Sequence, residues 1–168
     1  MSIGDAFRSY RKENDMTQQE FSEIVPLDRT GLSKIEADKK KAPKDIMRIA
    51  AIALDDPRIA LAAQAEVTGG ACPPWLSKAD LHKTTVHLKA LEEIEEAFEA
   101  MKSTPITKRK DQLEMKDIHR IKNTIMECVE AITALTHYVA ILCKEYTISW
   151  IGVWKEHRQE LKEKKYLN

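Results

Sequence analysis

Apolar residues recur at helical spacing along nearly the whole chain, and no run alternates apolar and polar residues as a half-buried strand does. The pattern predicts an all-α protein. Ile3, Phe7 and Tyr10 mark a first helix that the polar stretch Asn14-Asp15-Met16 ends. Thr17 with Glu20 three residues on forms a capping box, which starts a second helix running through Ile24. Pro26 stops it, because the ring disfavours α geometry at Val25 and has no amide hydrogen. Asp28 caps a third helix, RTGLSKIEA, with Leu32 and Ile35 facing inward. Pro43, at a first-turn position, opens a fourth helix with Ile46, Ile49, Ala50 and Ala53 on one face, and Pro57 begins a fifth, RIALAAQAEV.

The stretch TGGACPPWLSK, Thr68 to Lys78, gathers two glycines and two prolines and reads as a linker. It divides the chain into a compact segment, 1–67, and a long-helix segment, 79–168. From Ala79 a long helix carries Leu81, Leu88, Leu91, Ile94, Phe98 and Met101 along one side, and STPITKRK with Pro105 makes a turn. The next helix places Ile118, Ile121, Ile125, Cys128, Ile132, Leu135, Val139, Leu142 and Tyr146 at steps of three and four, a heptad seam. Such a seam is buried either on the preceding helix in an antiparallel hairpin or on a second chain. Extra apolar residues at Val129, Tyr138 and Ile141 widen it, so the expected arrangement is two hairpins in a four-helix homodimer. A last amphipathic helix follows, with Trp150 and Trp154 one turn apart and expected to cap the bundle; docking of a protein partner on this tail is the alternative.

Composition narrows the chemistry. The 168 residues hold 27 basic and 27 acidic side chains, a balance suited to one or two small globular domains. No signal segment and no unbroken apolar run of membrane-spanning length is expected, so the reading is a cytoplasmic chain without a membrane partner. Cys72, Cys128 and Cys143 form no CxxC pair and read as reduced thiols. His82 and His87 are five residues apart, off a common helix face, and His119, His137 and His157 lack partnering ligands, so no metal is expected. Neither a phosphate loop nor a nucleophile elbow is present; no catalytic residue and no cofactor are expected.

The charge is uneven. Met1 to Asp28 carries three basic and six acidic side chains, whereas Arg29 to Arg48 carries seven basic and three acidic. This polarity sits on the third helix and the loop after it, where a nucleic-acid surface would lie.

Thr17-Gln18-Gln19-Glu20, Phe21, Ile24, Leu27, Leu32, Ser33, Ile35 and Glu36, followed by the basic run and the fourth helix, resemble the helix-turn-helix domain of the Xre/Cro/CI repressor family over about residues 1–67. The resemblance implies a five-helix domain whose third helix enters the major groove of double-stranded DNA. It implies a phosphate contact from Gln18 and base-edge contacts from Arg29, Thr30 and Lys34, with Ser33 able to meet base or phosphate. Gly31 would let the backbone approach DNA closely, and Lys39, Lys40, Lys41 and Lys44 would hold the flanking phosphates. Two residues depart from the family: Pro26 replaces the usual turn glycine, so the turn follows another route, and Ser22 replaces an alanine. The implied function is a transcription regulator, a repressor of phage or mobile-element type acting as a dimer on a palindromic site. The rival is an antirepressor or antitoxin-like adaptor that grips a protein through the helical bundle.

Overall fold

In a computed structural model describing residues 1–168, the chain is all-α, with eight α-helices and one short 3-10 turn. The N-terminal five are α1 (Ile3–Glu13), α2 (Gln18–Ile24), α3 (Arg29–Glu36), α4 (Lys44–Leu54) and α5 (Pro57–Thr68). Then come α6 (Lys83–Ser103), α7 (Met115–Glu145) and α8 (Trp150–Glu163). Two compact units are formed, one from Met1–Lys78 with Cys143–Asn168, the other from Ala79–Leu142.

In the first unit, α1 packs on α3 and α5, α2 on α3 and α4, and α4 on α5. The core is built from Ile3, Ala6, Phe7, Phe21, Val25, Leu32, Ile35, Ile46, Met47, Ala50, Leu54, Ile59 and Ala62, with the Phe7 and Phe21 rings 5.2 Å apart. Burying these apolar groups is what holds seven- and eight-residue helices that are too short to persist alone. On α4 the buried face is Ile46, Met47, Ala50 and Leu54; Ile49 is only half-buried and Ala53 is exposed, so the expected face is rotated toward Met47 and Leu54. Pro43 is the residue before α4, not inside its first turn.

The tail differs from expectation. Residues 143–168 group with the N-terminal unit, not with the bundle. Trp150 is buried, Ser149 caps α8 by accepting the Gly152 N–H, and the Ile151 N–H donates to the Asp55 carboxylate at 2.8 Å, which ties the helix start to the α4–α5 turn. Trp154 stays half-exposed.

The second unit is an antiparallel hairpin of α6 and α7 up to Leu142. Thr104 and Thr124 hydroxyls lie 2.7 Å apart, the Thr124 hydroxyl donates to the Ala100 carbonyl at 3.2 Å, and the His87 and Tyr138 rings sit 5.3 Å apart. The earlier helix begins at Lys83 rather than Ala79, with His82 as its cap, and α7 ends before Tyr146. The buried residues of α6 are Val86, Ala90, Glu93 and Ala97, and those of α7 up to Leu142 are Asp117, Thr124, Ala131, His137 and Ala140, with Asp117 paired to Lys108. Small side chains, Ala90, Ala97, Thr124, Ala131 and Ala140, make up much of these buried faces. Most of the large apolar residues expected to fill the seam are exposed instead, while Leu81, Ile121, Cys128, Val139 and Leu142 are half-buried. By length and composition α7 is also apolar enough to cross a membrane, where the sequence predicts no unbroken apolar run of that length; 22% of its most apolar stretch is buried.

Candidate nucleic-acid interface

The site is built by three helix ends. Thr17 caps α2, its hydroxyl accepting the Glu20 N–H at 3.2 Å while the Glu20 carboxylate accepts the Thr17 N–H at 2.7 Å. Asp28 caps α3 by accepting the Gly31 N–H at 2.8 Å. Between them the chain reverses at Pro26: Val25 is extended (φ −107°, ψ 122°) and the Leu27 N–H donates to the Val25 carbonyl at 2.6 Å. An i to i+2 bond around a central residue of negative φ is an inverse γ-turn, for which proline's locked φ is suited. No residue from Val25 to Asp28 has positive φ, so the turn needs no glycine.

Buried Val25 and half-buried Leu27 tie this turn to the core, and Leu32 and Ile35 hold the inner face of α3. The outer face then presents Arg29, Thr30, Ser33 and Lys34 to solvent, spaced as one side of a helix. At its C-terminus α3 ends with Asp38 in left-handed geometry (φ 54°), the Asp38 N–H bonding the Ile35 carbonyl and the Lys39 N–H the Lys34 carbonyl. This is a Schellman closure. It turns the chain straight into Lys39, Lys40 and Lys41, all exposed, as is Lys44 at the start of α4.

Gln18, expected at a phosphate, also has a partner within the chain. Its side-chain amide donates to a Glu36 carboxylate oxygen at 2.9 Å, and the other donors to that carboxylate are the Arg11 Nε and Nη2 atoms at 3.0 Å each. Arg11 also reaches the Met16 carbonyl at 3.0 Å. Burial pushes the Glu36 carboxyl up, but the Arg11 and Gln18 bonds outweigh it and hold it below the usual carboxylate range. Glu36 thus pins α1, α2 and α3 together. Sequence reasoning missed this residue and Arg11. A carboxylate in the last turn of a helix opposes the helix dipole, and that mismatch is the signal that a cation must lie beside it.

Gly31 is buried, and a Cβ there would meet the Asp28 carboxylate at 3.0 Å, so the missing side chain makes room for the cap of α3. The Ser22 hydroxyl donates to the Gln18 carbonyl at 2.8 Å, back onto its own helix.

The surface is cationic in fact as well as in count. None of Arg29, Lys34, Lys39, Lys40, Lys41 and Lys44 forms an ion pair within the chain, while Glu36, one of only three acids in the stretch, is buried and neutralised by Arg11. Free cations beside uncharged Thr30 and Ser33 form a surface suited to phosphates and base edges.

Residues 7–55 match the helix-turn-helix family model, of the Xre/Cro/CI type. The matched segment spans α2, the Pro26 turn and α3, and the family is one of DNA-binding regulators. No curated protein and no solved structure matches the chain significantly.

Proposed function

We propose that this protein is a sequence-specific regulator of transcription, a repressor of the phage or mobile-element type that binds a palindromic operator as a homodimer in the cytoplasm. The observation that carries the reading is the exposed face Arg29, Thr30, Ser33 and Lys34 on a helix whose inner face is fixed in the core, flanked by four unpaired lysines. In this reading Arg29 reads a guanine edge through two hydrogen bonds, and Lys39, Lys40, Lys41 and Lys44 hold phosphates on either side. Gln18 acts by orienting α2 through Glu36, and Gly31 by seating the Asp28 cap.

The test is selection of preferred duplexes from a random pool, followed by titration at several salt concentrations. Arg29→Ala is expected to relax preference at one base-pair position at a cost of about 1–3 kcal/mol for the preferred duplex. Lys40→Ala is expected to weaken all duplexes alike and to lower the salt slope by about one unit. Selection of no preferred sequence, with salt-insensitive binding, sinks the reading.

A further inference from the structure

We infer that a second copy of this chain docks on one apolar face of the α6–α7 hairpin, a face to which both helices contribute. The inference supplies the dimer invoked above and rests on that reading only for its use at DNA.

The face follows from the helical wheel. At about 100° per residue, Leu91, Ile94, Phe98 and Met101 lie roughly a quarter turn around α6 from its seam residues Ala90 and Ala97. On α7, Ile118, Ile121, Ile125, Cys128 and Ile132 lie a quarter turn in the same sense from Asp117, Thr124 and Ala131. In an antiparallel pair, equal rotations about the two chain directions lead to the same side. The two stripes therefore merge into one surface instead of facing opposite ways.

That surface is open in the single chain: Leu91 is 52% exposed, Phe98 52%, Met101 51%, Ile118 47%, Ile125 56% and Ile132 52%. Nine side chains, most of them large and about half-exposed, amount to several hundred Å² of apolar surface. Monomers rarely leave so large a patch open, and each partner of a standard interface contributes about 800 Å². Polar side chains stand at its edge, with Lys102 lying over the Phe98 ring at 4.2 Å and pairing with Glu99 at 2.6 Å. An apolar centre with a charged rim is the usual anatomy of an interface.

The periodicity selects the occupant. Both stripes step by three and four residues, so knobs-into-holes packing calls for a partner with two helices of the same period in matching register. A second hairpin supplies that. A bilayer does not fit as well, because α6 carries five glutamates and α7 carries Lys122, Glu127 and Glu130 across the same length.

Sedimentation equilibrium of the full chain at micromolar concentration tests the inference. The wild type is expected at twice the chain mass. Ile125→Glu and Phe98→Glu, at positions half-exposed in the single chain, are expected to keep the helical circular-dichroism signal and to weaken the dimer at least about tenfold. Lys116→Glu, away from the face, is expected to remain dimeric. A monomeric wild type, dimerisation unchanged by both face variants, or flotation of the wild type with phosphatidylcholine–phosphatidylglycerol vesicles in place of self-association would each overturn it. Binding to a duplex holding a single half-site, measured on the same samples, keeps the two readings apart: monomers that still bind the half-site leave DNA recognition standing, whereas dimers that bind no duplex leave the interface standing.

Discussion

Two buried glycines of the helix-turn-helix domain show how different the demands on one residue type can be. Gly4 lies where α1 crosses α3, and a Cβ placed there would come within 2.1 Å of the Ile35 carbonyl oxygen. The obstacle is backbone, which can yield only if the helices move apart. Gly4→Ala is therefore expected to cost about 2–3 kcal/mol in urea unfolding, at the upper end of ordinary overpacking. Gly31→Ala is the matched control. There the obstacle is the end of the Asp28 side chain at 3.0 Å, and a gain of about 1 kcal/mol in helix propensity roughly offsets a cap weakened by about the same amount. The change should be under about 1 kcal/mol. Neither result follows from the sequence, in which Gly4 has no turn signal and Gly31 stands among the residues proposed to face DNA. A glycine's reason for being is set by what approaches it from elsewhere in the chain, here Ile35 in one case and its own cap in the other.

At the level of elements, the starts of α2, α3 and α5 are legible because each is written in a few adjacent residues, Thr17 with Glu20, Asp28 before α3, and Pro57, whereas the start of α6 at Lys83 is not. The Pro26 turn was legible only as a stop. That it closes as an inverse γ-turn depends on Val25 and Leu27 both being drawn to the core, which is a tertiary fact. The Glu36 cluster is legible only as a carboxylate at the wrong end of a helix; its partner is not, since Arg11 lies 25 residues away in sequence. That cluster makes the packing of α1, α2 and α3 sensitive to acid. The Glu36 pKa is held below its ordinary value near 4.5, so its stabilising contribution is fully present above that value and is lost as pH falls through the lower folded-state value. Unfolding followed from about pH 6 to about pH 3 should show stability declining in the lower part of that range. In Glu36→Gln the decline should be shallower. An equal slope in the variant would place the acid sensitivity elsewhere, at Glu13 beside Arg58 and Lys144 or at Glu20 in the Thr17 capping box, the other depressed carboxyls of this unit.

Across the whole molecule, periodicity gave the helices but not their company. A heptad stripe reports that a face is to be covered, and it is silent on whether the covering helix lies in the same chain; the small residues Ala90, Ala97, Thr124 and Ala131 on the buried faces are spaced by seven but stand out little beside the larger apolar residues next to them. The tail shows the same limit. Trp150 and Trp154 look equivalent on a helical wheel, yet Trp150 is buried in the unit formed with Met1–Lys78 and Trp154 is half-exposed. The C-terminal helix is consequently part of the fold of the unit that holds α1 to α5, anchored by one indole and by the bond from the Ile151 N–H to Asp55. Trp150→Ala removes the larger anchor, and loss of a buried tryptophan costs about 3–5 kcal/mol where the site cannot collapse. The expected outcome is a lowered melting temperature together with faster hydrogen exchange in α8 and at the α4–α5 turn, while Trp154→Ala leaves both nearly unchanged. If exchange quickens in α8 alone and the melting of the remaining unit is untouched, the tail is an appendage on that unit and the partition of the chain into these two units does not hold.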